Sequence, residues 1–140
     1  MTAREREATI RSAWAAAWDR GDVEVLDELL GADYRRIGDG HVRDREQFKA
    51  TIRDTRAAFP ELVTTIDEIL VDGDRAAIRW HSAGTHEHRY LGVPATGRRV
   101  AVSGATFARF VDDRIVEEHV TWDPRALLAG LGIHPIGQDR

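Results

Sequence analysis

No cysteine occurs anywhere in the 140 residues. Disulfide frameworks, thiol nucleophiles, zinc–thiolate sites and iron–sulfur clusters are thereby excluded. Lysine is almost as scarce. Lys49 is the single one among 20 basic residues, so Schiff-base chemistry would have to use Lys49 or the N-terminal amine. No apolar run approaches the ~20 residues of a membrane span. A formal charge of -4 and a pI near 5.8 argue against the basic face of a nucleic-acid binder. The phosphate-binding glycine loops and the Gly-x-Ser-x-Gly nucleophile elbow are missing too. The opening run MTAREREATIRSAW reads as a charged helix rather than a signal peptide, so a cytoplasmic location is expected.

What is present suits one soluble globular domain over residues 1–140: 42% apolar and 31% charged residues, with no internal repeat or low-complexity linker. The pattern changes once, near Pro60. Before it, Ile10, Trp14, Ala17 and Trp18 fall on one helix face. Asp22 stands ready to cap a short second helix carrying Leu26, Leu29 and Leu30, which Gly31 closes. Asp33 to Ile37 reads as a short extended piece, followed by the turn Gly38-Asp39-Gly40. A third helix starts at Asp44, with Gln47 in capping-box spacing, and stops at Pro60. After Pro60 four long strands are expected: Val63 to Val71, Arg75 to about His88, Arg98 to Val111 and Arg114 to Trp122. Asp123-Pro124 opens a short C-terminal helix. The fold class is α+β: a curled antiparallel sheet, a cone-shaped α+β barrel, with N-terminal helices over its concave face and a short C-terminal helix. Such a cone encloses a cavity suited to a small molecule.

Several stretches resemble the SnoaL-like polyketide cyclase family, within the nuclear-transport-factor-like cone-shaped superfamily. They are Gly84-Thr85-His86, Gly92-Val93-Pro94-Ala95-Thr96-Gly97-Arg98, Asp113-Arg114-Ile115-Val116-Glu117, Ala58-Phe59-Pro60-Glu61, and Asp123 followed by Leu127-Leu128 and Leu131-Gly132. The resemblance covers nearly the whole chain. It implies cofactor-free acid/base chemistry on polyketide-like or other hydrophobic small molecules. Cyclases of the family use a pocket Asp on the last strand, which falls on Val120 here, and often a pocket His, which falls on Thr106.

Strand alternation sorts the candidate side chains. On the last strand, Val116, Glu118, Val120 and Trp122 share the face marked inward by its apolar members. Glu118 is then either a cavity carboxyl, its pKa raised by desolvation, or an exposed member of the Glu117-Glu118 pair. On the second strand Ala76, Ile78, Trp80, Ser82, Gly84 and His86 share a face. His86 is either a proton-transfer group or a structural histidine bonded to nearby backbone. Arg36 shares parity with Tyr34, and is either an anion holder beside Glu118 or His86, or a surface arginine. Trp18, Trp80, Phe48 and Phe59 form an aromatic wall that serves either the core or the substrate.

The leading expectation is a cofactor-independent enzyme of secondary metabolism, with Glu118 and His86 as a proton-handling pair. Tyr34, Arg36, Phe48, Thr106, Val120 and the aromatic wall would contact the substrate. Aldol cyclisation, isomerisation, hydration and hydroxylation are the reactions in view. The alternative is a non-catalytic binding or accessory protein, which Val120 and Thr106 favour. His86-Glu87-His88 with Glu118 is the one arrangement tested for metal, and no metal is expected there, since the fold resemblance implies none. A homodimer is expected through the outer sheet face, which carries Arg79, His81, Phe107, Arg109 and His119.

Overall fold

Local capping explains where the long helices begin. The Thr2 side chain accepts the Glu5 backbone N–H at 3.1 Å while Glu5 accepts that of Thr2, a reciprocal box that starts α1 (Ala3–Trp14). Asp44 and Gln47 repeat the device at 2.8 Å in both directions and start α3 (Arg45–Ala58). These observations come from a computed structural model, which describes residues 1–133. Between the two helices, α1 widens into a π-helical turn at Ala15–Asp19. The next helical piece is smaller than the leucine spacing suggested. A 3-10 turn, Val23–Val25, runs into the single turn of α2 (Leu26–Leu29), and the Asp22 side chain caps neither. Leu30, expected in that helix, already begins β1 (Leu30–Gly38). The strand is longer than the sequence suggested because it pairs with β6 (Arg114–Trp122) from Leu30 onward.

Asp39 and Gly40, both at positive φ (51° and 73°), form the two-residue turn from β1 into β2 (His41–Arg43). After α3 come β3 (Val63–Asp72), β4 (Arg75–Thr85), β5 (Arg99–Val111) and β6, and then α4 (Pro124–Gly130), capped by Asp123 with Pro124 in its first turn. The expected four-strand antiparallel meander is present as β3 to β6. Two further strands extend it to the order β2-β1-β6-β5-β4-β3, and the β1–β6 pair is parallel, so the sheet is mixed. It curls without closing. The second strand ends at Thr85, earlier than expected, and His86 lies just beyond it.

One irregularity sets which residues of β6 face inward. A bulge lets Ile115 pair with Phe110 and Glu117 with Arg109, leaving Val116 over. Ile115 and Phe110 therefore enter the core, and Val116, expected inward, is only half-buried. Alternation then resumes with Glu118 and Val120 inside.

α1 and α3 lie against the sheet at β3 and β1. The main core joins Ile10, Ala17, Leu26, Leu30, Tyr34, Phe48, Ile52, Ile78, Phe110 and Ile115. A smaller cluster at the other end joins Ala58, Phe59, Leu62, Val100, Leu127 and Leu131. Trp18, Val102 and Trp122 pack against both, and the space between the clusters stays open.

Candidate active site

That space is a cavity of about 660 Å³. Its wall is aromatic and aliphatic. All four tryptophans of the chain, Trp14, Trp18, Trp80 and Trp122, line it, with Phe59, Val102, Val120 and Leu127 among the remainder. The π-helical turn follows Trp14 directly and carries Trp18, so one distorted helix supplies both indoles. On the sheet, a Cβ on Gly104 would come within 2.5 Å of the Trp80 ring and 2.9 Å of the Trp122 Cβ. Only glycine lets those two side chains flank this row. The Trp80 indole N–H donates to Thr106 Oγ1 at 3.0 Å, which spends the Thr106 hydroxyl behind the wall.

Polar groups gather at three places, one of them the Thr55 and Tyr90 hydroxyls, 3.3 Å apart. Deep in the cavity, Thr64 and Ser82 share a hydroxyl–hydroxyl hydrogen bond of 2.6 Å across β3 and β4. At the mouth, Arg36, His41 and Arg43 line one side, with the carboxylates of Asp39 and Asp54 nearby. Arg36 is the best anchored of these. Its Nη1 donates to Glu118 Oε1 at 3.2 Å, and its guanidinium carbon lies 4.1 Å from the centroid of the Phe48 ring. Glu118 also accepts a short hydrogen bond from the Tyr34 hydroxyl. Burial, reinforced by the neighbouring Glu118 charge, pushes the Tyr34 phenol well above its ordinary pKa of 10.0. Tyr34 therefore acts here as a donor.

The sequence-derived candidates divide accordingly. Arg36, Trp18, Trp80, Phe59 and Val120 line the cavity. Tyr34, Phe48, Thr106 and Glu118 are buried one layer behind it, and Glu118 meets the cavity only through Arg36. Among the described residues Glu118 and His86 share no partner. His86 is fully buried at the other end, where its Nδ1 accepts the Thr96 N–H at 3.2 Å and faces Thr96 Oγ1 at 3.0 Å. That bonding puts the proton on Nε2, which has no hydrogen-bond partner among the described residues. The ring stacks on Phe59 at 5.3 Å, and the His86 backbone pairs with Arg98 and Gly97, closing the neck of the loop between them. His88 is exposed, and among the described residues His86, His88 and Glu118 form no metal-ligand group.

Arg43, His41, Asp39 and Asp54 were not singled out from the sequence. A signal for the first two was there: a two-residue Asp-Gly turn forces residue 36 opposite 43 and 38 opposite 41. Asp54 sits on the exposed side of α3, where helix periodicity gives no hint of a cavity mouth. A shallower groove of about 290 Å³ between α1 and α2 has Glu28 as its one ionisable side chain among the described residues and carries no comparable set there.

Comparison with known proteins gives a consistent result. TsrD from Streptomyces laurentii superposes with a TM-score of 0.86 at 28% identity, over 96% of this chain and 100% of that one. AclR, a putative hydroxylase from Streptomyces galilaeus, gives 0.85 at 28% identity over the same shares. IdmH, a putative polyketide cyclase from Streptomyces antibioticus, gives 0.78 at 34% identity over 91% and 99%. No curated protein sequence matches. The model of the family described as SnoaL-like polyketide cyclase matches residues 8–131, and to that family the chain belongs.

Proposed function

We propose that this protein is a cofactor-independent enzyme that enolises a hydrophobic, oxygen-rich small molecule, in the manner of a polyketide cyclase. The observation that carries it is Arg36. It is a guanidinium on the wall of a mostly apolar cavity, held from behind by Glu118 and Phe48. A fixed cation in such a space stabilises an enolate oxygen far better than the same cation in water. In an aldol closure a proton leaves the carbon next to a carbonyl, the enolate carbon attacks a second carbonyl carbon, and the resulting alkoxide takes a proton. Arg36 would hold the first oxygen through that sequence. Glu118 acts through Arg36 as a positioning residue. Groups able to exchange a proton with a bound ligand are the lining side chains of Asp39, His41, Asp54 and Tyr90. His86 anchors the loop that ends at Gly97. The same proposal takes the protein as a cytoplasmic homodimer packed through its outer sheet face.

One observation favours the binding-protein alternative. Val120 falls where the family resemblance puts the cyclase aspartate, and the two acidic residues among the described lining, Asp39 and Asp54, are both exposed. Deuterium exchange separates the two. An aromatic β-keto ester incubated with the protein in D2O is followed by NMR at its acidic carbon. Catalysed exchange that falls by about 10²–10³ in Arg36→Met, the usual loss of an oxyanion donor, supports the enzyme. Binding without exchange supports the carrier.

A further inference from the structure

Arg36 and Arg43 stand directly opposite each other in the β1–β2 pairing. Both side chains are on the cavity side of the hairpin, together with Gly38 and His41. Like charges placed opposite one another on adjacent strands are destabilising. One carboxylate answers the pair: Glu118, which is bonded to Arg36. Arg43 has no carboxylate within 4.0 Å and no hydrogen-bond partner among the described residues, although it is half-buried at the cavity mouth. Gly38 keeps the hairpin tight against β6, since a Cβ there would meet the Val120 carbonyl oxygen at 2.7 Å. The hairpin therefore presents two guanidiniums to one opening, where Glu118 engages Arg36, Asp39 and Asp54 line the same cavity without touching either arginine, and Arg43 is left among the described residues to pair with a ligand.

We propose that this arginine pair is a binding site for the single negative charge of a ligand carboxylate, with Arg43 as its specificity-determining residue. The proposal rests on the reading of the cavity as a small-molecule site and adds the chemical class of the ligand: an apolar, ring-bearing body with a carboxylate at the end nearest β2. Arginine suits the task because its planar fork matches the two carboxylate oxygens. A dianion such as a phosphate monoester is disfavoured. Arg36 is already engaged by Glu118, and the Asp39 and Asp54 carboxylates line the same mouth, so a second negative charge on the ligand would meet like charge. The apolar body would run inward along the four tryptophans.

Isothermal titration calorimetry with anthraquinone-2-carboxylate and its methyl ester tests this on the wild type and on Arg43→Gln and Arg43→Lys. The wild type is expected to bind the acid at least about tenfold more tightly than the ester, the scale of one charge-assisted hydrogen bond. Arg43→Gln should remove about that factor for the acid and leave the ester unchanged within about twofold. Arg43→Lys should keep part of the preference, having the charge without the fork. Equal binding of acid and ester by the wild type overturns the proposal, as does an equal loss of both in Arg43→Gln. If the ester binds in either case, the cavity reading survives. If neither probe binds at all, that reading fails and the carboxylate site fails with it.

Discussion

At the scale of single residues, the informative group is Glu118. One of its oxygens takes both the Arg36 guanidinium and the Tyr34 hydroxyl. Replacing it by glutamine keeps the shape and an acceptor for Tyr34 but leaves Arg36 without its countercharge. Hydrogen bonds to charged groups contribute on the order of 1.5–3 kcal/mol, and Glu118→Gln should lose about that much stability in urea unfolding. A purely structural role ends there. A positioning role predicts in addition weaker ligand binding and slower proton exchange, because a loosened guanidinium no longer meets the ligand oxygen. Glu117→Gln is the control. Glu117 points to the outer face, where hydrogen bonding from His119 first, and the nearby Arg109 charge, hold its carboxyl below the usual range. Its loss should leave ligand binding and exchange unaltered. Alternation offered an inward Glu118 beside an exposed one, and the structure buries it; His86 is buried by the loop to Arg98 and by Phe59, since β4 has ended at Thr85. Their distance from the cavity surface was not legible, because parity tells which face a side chain takes and nothing of what stands in front of it.

At the scale of elements, α3 is tied to the segment before β1 by the single lysine. Lys49 Nζ donates to Glu24 at 3.0 Å, to Asp27 at 3.1 Å and to Glu46 at 3.2 Å, and Arg45 adds a second bridge to Asp27. The lysine side chain is only 2% exposed, yet Glu24 and Glu46 are 64% and 68% exposed. The ammonium is thus covered by carboxylates rather than sunk in the core. Desolvation draws its pKa down, and the hydrogen bonds it donates to Glu24, Asp27 and Glu46 outweigh that and raise it above 10.5. The hydrogen bond from Lys49 is the main cause that lowers Asp27 below 3.8. The signs give a window. The lysine contribution is complete below 10.5 and lost as pH climbs through the raised folded pKa. The Asp27 contribution is complete above 3.8 and lost as pH falls through the lowered one. Lys49→Met should therefore cost a constant amount between about pH 5 and 10, on the order of 1–2 kcal/mol given the exposed partners. The difference from wild type should shrink in acid and in alkali. A difference independent of pH from 2 to 12 would assign the effect to packing instead. The elements themselves were read well where a local device fixes them: the Asp44–Gln47 box, the Asp123-Pro124 start, the two-residue turns. They were misread where a distant partner decides. β1 reaches back to Leu30 because β6 is there to pair with it, and the Val116 bulge depends on how β5 and β6 meet. Neither is encoded in a window of neighbouring residues.

At the scale of the molecule, the outer face of the sheet carries the remaining prediction. Leu70 pairs with Ala77 and Ala77 with Phe107, which makes an apolar row across β3, β4 and β5. Leu70 is 63% and Phe107 57% exposed. A solvated antiparallel face would ordinarily show polar residues at such positions. Polar contacts border the row: ion pairs of Arg79 with Asp67 and Glu68 and of Arg109 with Glu117, and hydrogen bonds of His81 with Asp67 and of His119 with Glu117. An apolar strip between charged borders is the pattern of an interface core and its rim, and a two-fold axis through Phe107 would lay the strip on its own copy. The curved sheet would then keep both cavities on opposite outer sides of the pair, open to ligand. Light scattering coupled to size exclusion should give twice the chain mass of 15.7 kDa at micromolar concentration. Phe107→Asp, which sets two carboxylates against each other across the axis, should give the monomer with its cavity intact. A wild type that runs as a monomer under those conditions would remove the dimer, and the exposed row Leu70–Ala77–Phe107 would then need a different partner.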